Sequence, residues 1–349
     1  MECNYTTNKI LIDYFSFTIK TEGTDIEPED VILMLGLDGV NFVDGYGTKG
    51  FRHRYYFDGV SIMYGGRDLI WCEMSGQGCR VFESYGSGDW YGLAYQVLTD
   101  DKSHMTRLDV AYDDFNGLLD IDAIYDDVIN GNWVSRSEKI RPESAYTRQG
   151  RDGMCITAGQ RGSNISCRIY DKAAERNRSD DIPHWVRCEL QLRHQHADNF
   201  LRYWLSDDNS IFGVEIDNNR RLDSLYFAVL NHYLRFIDKS ANNDSNVWRK
   251  PLSSHWQRFV DSYHGNPLSL YKAPGVDYNV MKLRYTTEDM YGAMIYTYIE
   301  LFGVDELSNA VANKQFKLNK KYQSLLESER LRRLKDEHKP NKSTCDINL

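Results

Sequence analysis

The chain has 349 residues, of which 41% are hydrophobic and 13% aromatic, which is enough apolar material for two cores. A formal net charge of −9 argues against a nucleic-acid partner, because phosphate binding draws on clustered lysine and arginine. No segment approaches the roughly 18 to 20 consecutive apolar residues that cross a bilayer, so no membrane partner is expected.

The seven cysteines are scattered along the chain and odd in number. None forms a C-x-x-C pair, so neither a zinc site nor a disulfide framework is predicted. The N-terminus lacks a basic stretch followed by an unbroken apolar run, unlike a secretory signal. We expect a cytoplasmic protein with reduced thiols.

The first 197 residues alternate predicted strands with short amphipathic helices. The predicted strands are 9–20, 52–59, 60–66, 69–76, 79–84, 104–115, 153–159, 166–172 and 184–193. The predicted helices are 27–37, 89–101 and 120–133, the last with Asp120 or Asp122 as its N-cap.

Helical periodicity dominates beyond about residue 197. The predicted helices are 196–206, 224–238, 253–265, 287–303 and 304–337. We therefore predict an α+β fold, in which a mostly antiparallel, palm-like sheet with flanking helices is followed by a helical C-terminal domain. The predicted domains are 1–197 and 198–325, and residues 326–349 are predicted to be a charged, disordered tail.

Three predicted strands each carry a charged face opposite an apolar face. Side chains alternate between the two faces of a strand, so residues at every second position lie together. The charged faces hold Arg107, Asp109 and Asp113 on the first strand, Arg168, Tyr170 and Lys172 on the second, and Arg187, Glu189 and Gln191 on the third. If the three strands are neighbours in one sheet, these side chains converge.

Such a surface has a chemical meaning. Two or three carboxylates can hold a hard divalent cation such as Mg²⁺ or Mn²⁺, which would polarise a phosphodiester. A tyrosine hydroxyl beside the cation could attack phosphorus and keep the phosphate as a covalent intermediate. Lys172 and Arg168 would favour the phenolate of Tyr170 over the phenol.

The same pattern has a purely structural interpretation. Antiparallel sheets commonly have one charged outer face, and a cross-strand ion pair contributes less than about 1 kcal/mol. The chain contains 24 tyrosines, and most of them must serve packing. Spacing alone therefore leaves both interpretations of Tyr170 open.

The charge distribution adds a local signal. Residues 139–178 contain nine basic and four acidic side chains, a local charge of +5 in a chain of net charge −9. The basic segment includes Tyr170. This asymmetry predicts a local site for an anionic partner.

Several segments, in their order along the chain, resemble the Rep-trans replication initiation factor family. That family includes rolling-circle plasmid initiators, related phage replication proteins and relaxases of integrative and conjugative elements. The matching segments are "MSGQGCRVFE" (74–83), "HMTRLDVAYDDF" (104–115), "ITAGQRGSNISCRIYDKAAE" (156–175) and "WVRCELQLR" (185–193), with weaker matches at 253–263 and 291–303.

The resemblance implies a DNA strand transferase that nicks one strand of origin DNA, stays joined to the 5′-phosphate through tyrosine, and later rejoins the ends. Its nucleophile would be Tyr170, with Lys172 and Arg168 at the scissile phosphate. Residues 1–197 would be the nicking domain and 198–325 a domain for DNA recognition or dimerisation.

The resemblance also implies a divalent metal, Mg²⁺ or Mn²⁺, held by acids on the palm strands. Asp109 and Glu189 are the first choices, followed by Asp113, with Glu83 and Glu175 as further candidates. The DNA contacts expected from the resemblance are Arg187, Arg107, Arg161 and Arg80. The partners expected with origin DNA are a second copy of the chain and a host helicase.

Other rolling-circle nickases hold their metal with a His-hydrophobic-His pair. His194 and His196 have a similar spacing here, but the intervening residue is glutamine and the pair follows a strand end. We interpret them as surface or helix-start residues and predict an all-carboxylate metal site.

Three further segments each allow two interpretations. Residues 45–59 interleave basic and aromatic side chains, which could stack on unpaired bases near the nick or form a hairpin with one solvated face. The glycines of "SGQGCR" (75–80) could admit a phosphate or form a plain turn. The aromatics of 247–263 could read the origin duplex or belong to a core.

Two other functions remain compatible with the sequence. A member of the family that binds the origin without nicking would shift DNA but leave it uncut. A metal nuclease that uses water would cut DNA without a covalent adduct.

Overall fold

The computed structural model describes residues 7–148, 150–160, 162–205, 218–241, 244–261 and 292–314, together with residues 270, 287, 323 and 326. The strands are β1 (Lys9–Lys20), β2 (Val43–Tyr46), β3 (His53–Phe57), β4 (Val60–Tyr64), β5 (Leu69–Met74), β6 (Ser103–Asp114), β7 (Trp133–Ser135), β8 (Ile140–Thr147), β9 (Gly150–Ala158), β10 (Ile165–Asp171), β11 (Val186–Arg193) and β12 (Leu234–Phe236). The helices are α1 (Pro28–Met34), α2 (Gly76–Tyr85), α3 (Trp90–Thr99), α4 (Ile121–Ile129), α5 (Lys172–Glu175), α6 (Gln195–Leu205), α7 (Asn218–Tyr233), α8 (Ser254–Val260), α9 (Gly292–Phe302) and α10 (Val304–Ala312).

Ten strands form one sheet in the order β2-β3-β4-β5-β1-β6-β11-β10-β9-β8. All of its neighbouring strands are antiparallel. Strands that are consecutive in sequence form the two outer parts of the sheet, whereas the distant β1, β6 and β11 meet at its centre. The predicted α+β fold with a large antiparallel sheet and helices toward the C-terminus is confirmed.

The apolar face of the central strands packs against helices. Phe15 and Phe17 of β1, Val110 of β6 and Leu190 of β11 are almost completely buried there. Helix α2 contacts β1, α3 contacts β6, and α6 contacts both β6 and β11. Burial of each such apolar side chain contributes about 1.5–3 kcal/mol to the free energy of folding. This burial holds the helices against one face of the sheet, and the alternating polar residues therefore lie on the other face.

Two local predictions were wrong. Residues 79–84 were predicted as a strand but belong to α2, because six residues are too few to separate a helical from an alternating pattern. Residues 234–236 were predicted as the end of a helix but form β12, which pairs with β7.

The chain divides into two compact units, Met1–Tyr271 and Lys272–Leu349. Helices α6, α7 and α8 thus lie in the same unit as the sheet, whereas the predicted boundary falls after residue 197. The separate roles assigned to 1–197 and 198–325 stay predictions. The predicted tail lies outside the described residues except for Leu326. Within the described ranges, no helix has the length and apolarity needed to cross a bilayer.

Candidate active site on the polar face of the sheet

The three strands with charged faces are neighbours, in the order β6-β11-β10. Arg187 of β11 lies opposite Asp113 of β6 on one side and opposite Tyr170 of β10 on the other. Glu189 lies opposite Ala111 of β6, whose small side chain leaves room beside it. The polar residues predicted to converge are therefore brought together on one sheet face.

Tyr170 lies at the centre of this group and is only 4% exposed. Its hydroxyl donates a hydrogen bond to Glu189 Oε2 at 3.1 Å and accepts one from Lys172 Nζ at 3.4 Å. The Arg168 guanidinium stacks on the Tyr170 ring, 4.8 Å from its centroid. The phenol oxygen thus has both a carboxylate acceptor and an ammonium donor within reach.

The surroundings hold Tyr170 as a neutral phenol. Burial, followed by the negative charge of Glu189, raises its pKa above the ordinary value, and the positive charge of Arg187 opposes this shift. Burial, followed by the positive charge of Arg187, lowers the pKa of Lys172. The tyrosine therefore needs a proton acceptor to react, while Lys172 gives up a proton more readily than an exposed lysine.

Asp109 is buried beside a second cation. Arg107 donates to both of its oxygens, at 2.9 Å from Nε to Oδ1 and 2.5 Å from Nη2 to Oδ2. Burial, with the charge of Glu189 adding to it, raises the pKa of Asp109 to about 6 although Arg107 opposes the shift. Asp109 and Glu189 therefore repel each other across a buried space.

Asp113 has a different partner. Arg187 donates from Nε to Asp113 Oδ1 at 2.6 Å and from Nη2 to Oδ2 at 2.8 Å. The third guanidinium nitrogen, Nη1, binds Asp13 Oδ2 at 2.5 Å. Asp113 was predicted as a metal ligand and Arg187 as a DNA contact. In the structure the two residues form a buried ion pair with each other.

Within the described ranges, no group of three or more His, Cys, Asp or Glu side chains is arranged to hold a metal ion. Asp109 and Glu189 remain as a pair of buried carboxylates, and their mutual repulsion is what a divalent cation would relieve. Mg²⁺ typically uses one or two carboxylates and takes its other ligands from water and substrate phosphates. The donor chemistry of the pair suits such a metal in that mode, but Arg107 already binds both oxygens of Asp109.

The remaining predicted residues lie around this centre. Arg80 donates to the Ile12 carbonyl at 2.6 Å and to Glu83 at 2.9 Å, so much of its bonding is structural. Glu175 pairs with Lys172 at 2.6 Å. Arg161 lies outside the described residues.

His194 precedes α6 with a left-handed backbone (φ 48°), and His196 is buried in the first turn of that helix. Neither residue belongs to a metal-binding group within the described ranges. Their helix-start position agrees with the interpretation made from the sequence.

The sequence interpretation missed Asp13, which binds Arg187. Asp13 lies at an irregularity in the pairing of β1 with β6, between Ile12 and Tyr14. The bulge turns this side chain toward Arg187, and simple alternation does not anticipate such a turn. The sequence does contain one indication of a role for Asp13, because it is the one acidic residue in the otherwise apolar or neutral interior of β1.

Tyr170 and Lys172 line two different clefts. The first, of about 430 Å³, is lined by Tyr170 and by Arg168, Cys155 and Asp171, among others. The second, of about 310 Å³, is lined by Lys172 and is strongly basic. Its cations are Lys9, Arg80, Lys172, Arg176, Arg178 and Arg187, against the two acids Asp13 and Asp113. The basic cleft is suited to phosphate groups.

The chain is similar to known proteins over most of its length. The family described as "Replication initiation factor" matches residues 103–311. The chain is 26% identical over 284 residues to the putative DNA relaxase NicK of Bacillus subtilis (strain 168), covering 77% of this chain and 74% of that protein. It is similar to the structure of a rolling circle replication initiator protein from Geobacillus stearothermophilus, with 29% identity and a TM-score of 0.63, covering 73% of this chain and 96% of the other.

Proposed function

Because the chain belongs to the replication initiation factor family, we propose that it is a rolling-circle initiator or relaxase that nicks and rejoins one strand of origin DNA through Tyr170. The family membership confirms the resemblance recognised in the sequence motifs. The tyrosine mechanism and the metal are the proposed parts. One observation carries the tyrosine mechanism: a buried tyrosine bonded to both a carboxylate and a lysine on a sheet face beside a basic cleft. The proposed metal rests on the buried carboxylates of Asp109 and Glu189.

In the nicking step, Tyr170 Oη attacks the scissile phosphorus and the bond from phosphorus to the 3′ oxygen breaks. Glu189 takes the phenol proton, since its Oε2 already accepts that hydrogen bond. Lys172 gives a proton to the departing 3′ oxygen, for which its lowered pKa suits it. The products are a 5′-phosphotyrosine and a free 3′-hydroxyl, and rejoining reverses each transfer.

Asp109 and Glu189 would hold the divalent metal, Mg²⁺ or Mn²⁺. When bound, the metal would supply charge stabilisation for the pentavalent phosphate. Arg168 lies over the Tyr170 ring with 42% of its side chain exposed, where it can meet a phosphate oxygen. We also propose that the protein acts as a homodimer and that a host helicase follows it, as the family resemblance suggests.

Tyr170→Phe tests the nucleophile. Incubation of the wild type with supercoiled origin DNA and Mn²⁺ is expected to give relaxed DNA and a protein–DNA adduct visible on a denaturing gel. The variant loses the attacking oxygen and is expected to form no adduct, whereas its binding of the same DNA in a gel-shift assay is retained.

Tyr55→Phe is the matched control, because Tyr55 also donates to a glutamate, Glu29 Oε1 at 2.7 Å, but lies on β3 away from the site. It is expected to nick like the wild type. Adduct formation by Tyr170→Phe would refute the assignment. A wild type that shifts origin DNA but leaves it uncut would be an origin-binding protein, and cutting without an adduct would indicate a water nucleophile.

A further inference from the structure

A third cleft, of about 400 Å³, opens on the polar face of the sheet at the opposite side of Asp109 from Tyr170. It lies among β1, β5, β6 and the loop between β2 and β3. We call it the aromatic cleft, after the residues that characterise it: Tyr14, Lys49, Phe51, Trp71, Glu73 and Arg107. We propose that it binds one unpaired nucleobase of the nicked DNA strand. This inference rests on the proposed function, since it takes the sheet face to be where DNA lies.

The aromatic rings of this cleft are arranged with cations on their faces. Lys49 Nζ lies 3.8 Å from the centroid of the Trp71 ring, and Arg107 lies 4.0 Å from that of Tyr14. Phe51 and Trp71 have their centroids 6.0 Å apart, at 48° to each other. Stacking of a base on an aromatic ring contributes about 1–3 kcal/mol, and neighbouring cations hold the backbone phosphates. The cleft contains both elements.

The cleft also contains polar atoms with bonding capacity left. Trp71 Nε1 is buried and has no hydrogen-bond partner among the described residues. The Glu73 carboxylate is bonded to Tyr14, but its buried Oε2 accepts no hydrogen bond among the described residues and has only Lys49 Nζ nearby, at 3.5 Å. A carboxylate recognises the exocyclic amino group of a base. A base that carries an amino group is therefore preferred over thymine.

The position of the cleft connects it to the nicking centre. Arg107 both lines the cleft and binds Asp109, while Tyr14 lies opposite Asp109 in the pairing of β1 with β6. From β1 to β10 there are three strand spacings, a distance of about 14 Å at about 4.8 Å each. A strand whose scissile phosphate lies at Tyr170 can thus place a base in the cleft within a few nucleotides.

This assignment also separates the two interpretations of residues 45–59. The loop part of that segment supplies Lys49 and Phe51 to the cleft, so the interleaved basic and aromatic residues form a stacking site. Tyr46, by contrast, is 95% exposed and Tyr56 stacks with Arg54 outside the cleft. The base-binding function belongs to the loop, and the flanking strands β2 and β3 only position it.

Binding of short single-stranded DNA tests the inference without metal or nicking. The hexanucleotides dA6, dC6 and dT6 and an abasic hexamer with the same phosphates are titrated into the full-length protein. Wild type is expected to bind dC6 about 10-fold more tightly than the abasic hexamer, as one stacked base would give. In Trp71→Ala this ratio is expected to fall to about 1, with binding of the abasic hexamer unchanged.

Trp248→Ala is the matched control, since Trp248 also carries a stacked arginine, Arg136 at 4.4 Å, but lies outside the cleft. It is expected to keep the wild-type ratio. Trp71→Phe retains a ring and is expected to keep part of the preference, which guards against a folding defect in the alanine variant. Glu73→Gln is expected to reduce the preference for dC6 over dT6.

The proposal would be overturned if the affinity for dC6 divided by the affinity for the abasic hexamer were the same in Trp71→Ala as in the wild type. An unchanged dC6 to dT6 ratio in Glu73→Gln would overturn the assignment of Glu73. Because these titrations contain no scissile origin site, their outcome is independent of adduct formation. Failure of the base site and failure of the nicking function are therefore distinguishable.

Discussion

Asp109, Asp113 and Glu189 lie on one sheet face but have different partners, and their substitution should have different effects. Glu189→Gln removes one of the two buried carboxylates of the proposed metal site, so it is expected to weaken Mn²⁺ binding by at least 10-fold in calorimetric titration. Asp113→Asn instead weakens the ion pair with Arg187. It is expected to cost about 1–3 kcal/mol in the free energy of unfolding.

Mn²⁺ titration and the free energy of unfolding together distinguish the roles of the two carboxylates. Glu189→Gln is expected to leave the unfolding free energy of the metal-free protein close to that of the wild type or above it, because it relieves the repulsion of Asp109. If Asp113→Asn abolished Mn²⁺ binding while Glu189→Gln did not, the metal would be held by Asp113 instead of Glu189.

The pKa of Asp109, about 6, predicts a pH dependence. The folded value lies above the unfolded value of about 3.9, so folding favours the protonated acid. The contribution of this group to stability therefore increases as the pH falls from above 6 toward 4. Asp109→Asn lacks this contribution. The free energy of unfolding of the variant minus that of the wild type should therefore be about 1 kcal/mol larger at pH 7.5 than at pH 5.

Urea denaturation of both proteins at the two pH values, without divalent metal, measures this difference and cancels the titration of the carboxyl groups that do not interact with Asp109. A difference that stays constant with pH would show that Asp109 is ionised in the folded protein down to pH 5, and one of opposite sign would contradict the raised pKa of Asp109.

At the residue level, alternation in the sequence was enough to place Asp109, Tyr170 and Glu189 on one face. Alternation could not predict the hydrogen-bond and ion-pair partners of these residues, because those depend on which strands are adjacent and in which register they pair. Asp113 and Arg187 show this: both were given roles toward external ligands, yet β6 and β11 place them opposite each other, where they form a buried pair.

At the level of elements, α2 is held by a close backbone contact. A Cβ atom at Gly78 would clash with the carbonyl oxygen of Gly59, in the turn between β3 and β4. Gly78→Ala must therefore displace backbone and is expected to lower the free energy of unfolding by about 1–3 kcal/mol. Thermal or urea unfolding measures this loss.

Gly39→Ala is the matched control, because a Cβ there meets no atom within 4 Å. It is expected to change stability by no more than about 0.5 kcal/mol. If Gly78→Ala were equally neutral, α2 would not be seated against this turn as closely as the structure has it.

The same contact explains Gly78, the second glycine of "SGQGCR". Gly78 serves the packing of α2 on the turn at Gly59, so the plain structural interpretation of that segment holds for this residue. Strands with strong alternation, such as β1, were predicted from sequence at their observed bounds. The edge strand β8 was not, since most of its side chains are exposed and carry little apolar pattern.

At the level of the whole molecule, charge is unevenly distributed. The chain has a net charge of −9, yet six cations line the cleft beside Tyr170. Composition alone gave a weak argument against a nucleic-acid partner, and only the local +5 segment pointed the other way. The order of motifs along the chain supplied the family, whereas the ten-strand order and the meeting of β1, β6 and β11 required the structure.

The most direct test of the central claim is to identify the residue joined to DNA. The wild type is incubated with supercoiled origin DNA and Mn²⁺, the adduct is digested with nuclease and protease, and the modified peptide is sequenced by mass spectrometry. The expected modification is a 5′-phosphonucleotide on the hydroxyl of Tyr170. A modification on any other tyrosine would contradict it.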